Sequence, residues 1–227
     1  MAIGVIGTNS TAAGSGSGTT LSWTHTVPST DGNRMLLVCV EENFTPTTQS
    51  ATYNSVSMTE VQAMGGSSAN SHCFYLANPA TDANTVTVTW DPSNAGQRKG
   101  CAITIKDAKQ TSPVDASNRT DGYPTNATSQ QSTMTTVTNN TLNFSILGSG
   151  TAISAVVQDA GQTEQTNVID ANHPSMVSGT ETQGTSGSYT GGMSWTGSVA
   201  YHVVEVFAII EDVAAVVAGG QPMSLLG

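Results

Sequence analysis

Four histidines and sixteen acids are the side chains here that could carry acid–base or metal chemistry. His25, His72, His173 and His202 stand far apart. They show neither the His-x-His nor the HExxH spacing that puts two imidazoles on one metal. A three-histidine site drawn from separate strands competes with four isolated imidazoles, and the spacing favours the second reading, with no metal and no cofactor expected. Sandwich-fold glycosidases need two carboxyls across one cleft. The acids within or ending strong apolar runs are Glu41, Glu42 and Glu205. Glu205, set amid Val and Phe, is expected to pair with Arg34 or to face outward, because acids are seldom buried unpaired. No GxSxG elbow and no P-loop occurs. Asp31-Gly32-Asn33 and Asp121-Gly122 read as turns, since neither approaches a calcium loop. The sequence therefore offers no catalytic set and predicts a non-enzymatic protein.

Aromatic rings are the other route to a ligand, because a ring offers a flat apolar face and, in Tyr and Trp, a polar handle. Trp23 and Trp90 fall on the apolar side of alternating segments and are expected in the core. Tyr123, Tyr189 and Trp195 lie in or beside loop-like stretches and are the glycan-stacking candidates. Cys39, Cys73 and Cys101 each sit inside an apolar run and read as three buried thiols. One disulfide with one thiol left over is the alternative.

The elements that must position these residues are strands. In Leu21–Val27, Leu21, Trp23, His25 and Val27 share one face and Ser22, Thr24 and Thr26 the other. In Asn84–Trp90, Val86, Val88 and Trp90 oppose Thr85, Thr87 and Thr89. This period of two marks strands with one dry and one wet face. Met35–Val40 and Val199–Ile210 are apolar throughout and predict strands covered on both sides. Asn54-Ser55 predicts a short hairpin turn between flanking runs. Gly7–Thr20 reads as flexible, Ser112–Gln131 as a long crossover between two halves, and Gly179–Gly192 as an exposed loop with Tyr189 near its tip. The fold class is all-β: an antiparallel two-sheet β-sandwich, jelly-roll-like, over residues 20–210. A flexible N-terminal arm over 1–19 and a C-terminal arm over 211–227 flank it.

Composition narrows the partners. Only 10% of residues are charged, six are Lys or Arg, and the formal net charge is −10. Ser and Thr, about a quarter of the chain, fill the polar role. Six scattered basic residues cannot track a phosphate backbone or an anionic bilayer, so neither nucleic acid nor membrane is expected as a partner. Met1 is followed by neither a basic nor an apolar leader segment, so export by the usual route is not expected and the N-x-S/T sequons are discounted.

The series WTHTV, NRMLLVCV, ATYNSVSMTEV, FYLANPATDANTVTVTW and CAITI resembles a recurring bacterial and phage β-sandwich domain over roughly residues 20–210. The resemblance lies in turns and strand faces and implies a fold, with no catalytic residue to carry over. It implies a phage structural role: a virion component such as a capsid-decorating, head-spike or tail-accessory protein, assembled in the host cytoplasm. The expected partners are other virion proteins and further copies of itself, with Val213, Val216, Val217, Leu225 and Leu226 as apolar contacts of the C-terminal arm. The alternative is a carbohydrate-binding module or adhesin on an extracellular surface, holding a glycan through its loop aromatics.

Overall fold

Alternating small hydroxyl and β-branched residues favour extended backbone, and the strands they form must bury one face each. The computed structural model describes residues 2–14, 18–29, 32–42, 49–61, 70–90, 96–122, 125–169 and 175–212. In chain order its strands are β1 (Gly4–Gly14), β2 (Thr20–Val27), β3 (Met35–Glu42), β4 (Gln49–Tyr53), β5 (Val56–Ser57), β6 (Thr59–Glu60), β7 (Asn70–Ala77), β8 (Asp82–Trp90) and β9 (Arg98–Lys106). They continue as β10 (Val114–Asp121), β11 (Ala127–Thr136), β12 (Thr141–Ser149), β13 (Ser154–Gln158), β14 (Thr163–Val168), β15 (Ser175–Gln183), β16 (Gly187–Val199) and β17 (His202–Ile210).

The strands form four antiparallel sheets. The first half of the chain makes an inner sheet β1-β9-β3-β7-β6 and an outer sheet β2-β8-β4-β5. The second half makes an inner sheet β10-β17-β12-β15-β14 and an outer sheet β11-β16-β13. Substituting β10 for β1, β11 for β2, and so on to β17 for β9 converts one half's strand order into the other's, with only β5 lacking a counterpart. The halves therefore share one jelly-roll-like winding.

Three apolar layers bind the four sheets. Leu36, Val38 and Val40 of β3 pack with Val86, Val88 and Trp90 of β8 inside the first half. Leu147 and Val204 pack with Met193 and Trp195 inside the second. Met35, Leu37 and Cys39, on the opposite face of β3, meet Phe144, Ile146, Phe207 and Ile209 across the two inner sheets. The continuously apolar runs of β3 and β17 are explained by this stacking, because an inner strand has a dry layer on each side.

The antiparallel sandwich is as expected, in four sheets instead of two. Gly4–Gly14 is not a loose arm. It forms the edge strand β1, paired with β9 from Gly4↔Lys106 to Gly14↔Arg98. Ile3 and Val5 reach the central layer and Ala12 the first-half layer, which anchors a strand made mostly of small residues. Ser112–Gln131 is likewise no crossover loop, for it contains β10 and the start of β11. Gly179–Gly192 is mostly strand, the end of β15 and the start of β16. The Asn54-Ser55 hairpin forms as expected, with both turn residues at positive φ (49° and 64°), the primed geometry that matches strand twist.

Candidate functional site

Unusual titratable groups gather at one end of the strands, where β3, β7 and β9 meet β10, β12 and β17. Glu41 and Glu42 end β3, so alternation sends their side chains to opposite faces. Glu41 faces the second half: a Cβ added at Gly148 of β12 would lie 1.9 Å from its Oε2. A side chain at Gly148 would have to displace that carboxyl from the space it occupies. In β17, Glu205 lies on the same face as Phe207, toward the first half, and its Oε2 accepts a hydrogen bond from Ser71 Oγ at 3.3 Å. Ser71 stands opposite Glu41 in the β3–β7 register, so the two acids share one patch between the inner sheets. Arg119 of β10 is opposite Glu205. Its guanidinium also lies 3.5 Å from Asp121.

Burial dominates the electrostatics. Glu205 and Glu41 are both fully buried. Desolvation pushes Glu205 up to about 8, with Ser71 and Arg119 pulling back. Glu41 is raised well above the carboxylate range, first by burial and then by Glu42. Among the described residues neither Glu41 oxygen has a hydrogen-bond partner, which favours the neutral acid. On the other face Glu42 is raised to about 8 by burial against the pull of Arg98. Gln49 Nε2 donates to Glu42 Oε1 at 2.5 Å, and Arg98 lies 3.8 Å over the Trp90 ring.

The three described histidines stay apart. His25 is in the first-half core, its Nδ1 2.9 Å from Ser10 Oγ and its Nε2 2.8 Å from Thr104 Oγ1. Trp23 Nε1 donates to the same Ser10 oxygen. This resembles a Ser–His pair, in which Ser10 is partly buried and the imidazole is buried, and that burial lowers it to about 4. It is a satisfied polar knot in a dry layer. His72 bonds Glu60 at 2.8 Å. His202 Nδ1 bonds the Val199 carbonyl at 3.1 Å. His173 lies outside the described residues. No group of three or more His, Cys, Asp or Glu among the described residues could hold a metal.

Two of the three expected glycan-stacking residues are turned inward. Tyr189 and Trp195 are 6% and 5% exposed and belong to the second-half core. Tyr189 shares a 3.1 Å hydrogen bond with Ser145 Oγ, and burial raises its phenol to about 12. Both residues lie on the inward side of β16, which the Gly- and Ser-rich stretch around them disguises as loop. Tyr123 lies outside the described residues, as do Val213, Val216, Val217, Leu225 and Leu226. Glu205 neither pairs with Arg34, which precedes the far end of β3, nor faces outward; Ser71 and Arg119 are its neighbours. The structure also joins Cys39 and Cys73 in a disulfide across β3 and β7, in place of three free thiols. Cys101 sits opposite Cys39 on β9, buried and raised to about 11. Native protein is therefore expected to resist alkylation at Cys101 and to label at that one cysteine after unfolding without reductant, as peptide mass mapping can read. Rapid labelling of the folded chain would contradict this placement.

Sequence reasoning missed Arg98 and Lys99 as buried cations and Arg119 as a half-buried one. Arg98-Lys99 opens β9 opposite Glu42 and Glu41, a charge match readable only once strand register is known. No protein-family model, curated protein or solved structure matches this chain.

Chemically, the acid patch can hold protons between two sheets, and its fully buried carboxyls offer no surface to a substrate.

Proposed function

We propose that this chain is a structural, non-enzymatic protein that works through contact, in the role of a phage virion component such as a capsid decoration, head spike or tail accessory. The observation that carries the reading is the division between interior and exterior. The strongly perturbed acids are enclosed between sheets, while the outer sheet of the first half turns a field of hydroxyls to solvent. Thr20, Ser22, Thr24 and Thr26 of β2 are exposed. They stand opposite Thr89, Thr87, Thr85 and Ala83 of β8, and Ser22 and Thr87 are hydrogen-bonded at 3.0 Å. The second outer sheet repeats this with Thr133 and Thr190, 2.8 Å apart. Short side chains lose little entropy on contact, and hydroxyls both donate and accept hydrogen bonds, so such faces suit broad, weakly charged interfaces. The sequence resemblance supports the same role, with neighbouring virion proteins and further copies of the chain as partners.

Particles purified from the source are expected to contain this chain at a fixed ratio to their major coat protein. A chain ending at residue 212 should be lost from them, because it lacks the apolar segment bearing Val213, Val216, Val217, Leu225 and Leu226. Quantitative mass spectrometry of the particles reads both results. Absence of the full chain from particles overturns the role, and undiminished incorporation of the shortened chain overturns the arm.

A further inference from the structure

We propose that the groove between the two halves binds a neutral, hydroxyl-rich ligand, a short oligosaccharide. It lies where the edge strand β1 faces β14 and β15, with a volume of about 610 Å³, within the range of small-molecule sites. This is a different place from the aromatic loops, and it uses different chemistry.

A bulge in β1 builds one wall. Between Ile6↔Thr104 and Ser10↔Ala102, β1 advances four residues while β9 advances two. Gly7 turns there at φ 74°, where an added Cβ would lie 2.7 Å from Pro28. The surplus backbone carries Asn9 across to the other half. Its Nδ2 donates to the Gln165 carbonyl at 2.8 Å and to Gln165 Oε1 at 3.3 Å. Gln165 Nε2 in turn donates to Thr180 Oγ1 at 2.8 Å. The two amides are thus fixed in orientation before any ligand arrives, which lowers the entropic cost of binding.

The lining selects the ligand's chemistry. Thr163 and Thr182 present exposed hydroxyls, which donate and accept as sugar hydroxyls do, and the Asn9, Gln165 and Thr180 side chains, bonded to one another, make a polar wall beside them. Val5 and Leu142 add apolar surface for the C–H face of a ring. Among the described residues Glu181 is the one ionisable side chain in the lining, and no basic group accompanies it. Together with the net charge of −10, this disfavours phosphorylated, sulfated or uronic ligands.

Gly4 supplies the discriminating variant. It lines the groove, and a Cβ built on it meets nothing within 4 Å. Gly4→Phe is therefore expected to add bulk at the groove's edge, where its Cβ meets no clash. Saturation-transfer NMR and calorimetry with maltotriose, cellotriose, mannotriose and chitotriose, and with trigalacturonate as the acidic control, test the site. At least one neutral trisaccharide is expected to bind saturably, and trigalacturonate more weakly. Gly4→Phe should weaken binding at least about tenfold at an unchanged melting temperature. Thr182→Val, which removes one hydroxyl at constant shape, should weaken it by a smaller factor and serves if Gly4→Phe proves unstable. The proposal is overturned if no neutral trisaccharide binds, if trigalacturonate binds as well, or if neither variant changes the affinity. Because the assay uses the isolated chain, its failure leaves the particle measurement unaffected.

Discussion

Raising the pH from 6.5 to 8 lowers the melting temperature by roughly 10 °C, and Glu205→Gln removes a large part of that fall. The sign follows from burial. Unfolded glutamates release their protons near 4.5, whereas Glu42 and Glu205 keep theirs to about 8 in the folded chain. A raised folded-state value gives stability that is complete below the unfolded value and is lost as the pH climbs through the folded one. In this window each such group takes away about 1.4 kcal/mol per pH unit, and Glu41 acts in the same direction. The histidines act in the opposite sense on the acid side. His25 is lowered from 6.5 to about 4, so its contribution is lost as the pH falls through that interval. His72 and His202 are lowered as well. From 6.5 to about 7.5 the last unfolded imidazoles lose their protons and offset a small part of the fall, and above that the acids alone set the slope. Glutamine keeps the shape of Glu205 and its contact with Ser71 without a proton to lose. The variant is therefore expected to melt above the parent at pH 8 and close to it at pH 5. Thermal denaturation across this range reads the slope, and a melting temperature that rises from pH 6.5 to 8 would contradict it.

Phe207→Ala should destabilise the whole chain by about 3–5 kcal/mol, in one transition. Phe207 is fully buried and stacks on Phe144 with ring centroids 5.2 Å apart. Both rings point from the second inner sheet into the layer shared with Met35, Leu37 and Cys39. Each inner sheet is packed on both faces, so the surroundings are expected to relax little into the cavity. Val157→Ala, at a site 62% exposed on β13, is the control, expected to stay within about 0.5 kcal/mol. Chemical denaturation followed by tryptophan fluorescence and by circular dichroism measures both. Coincident curves mean that the central layer makes the halves unfold together. A Phe207→Ala effect no larger than the control's would mean that the inner sheets do not pack as described.

Period two revealed much of this fold. The faces of β2 and β8 follow directly from alternation, as does the core position of Trp90, while Trp23 lies on the expected face but is only partly buried. The double coverage of β3 and β17 follows from their unbroken apolar runs. What stayed hidden depends on pairing. β1 and β10 are weakly apolar edge strands, with one hydrogen-bonded neighbour each, so composition hid them. Tyr189 and Trp195 obey the alternation too, but the glycines around them mimic a loop. The acid patch was half visible: Glu41, Glu42 and Glu205 stand out by type and place. Their confinement depends on two halves meeting face to face, which a local window cannot register. The same limit hid Arg119 behind a stretch read as crossover, and hid the Asn9–Gln165 contact, which joins residues 156 positions apart.

The side-chain carboxyl titrations of Glu42 and Glu205, followed by NMR on isotope-labelled protein, test most directly whether these acids belong to the packing and not to a reactive cleft. Midpoints near 8 are expected for both. Midpoints near the ordinary 4.5 would place the carboxyls in water, open to a ligand, and would contradict an architecture that encloses its acids and acts through its surfaces.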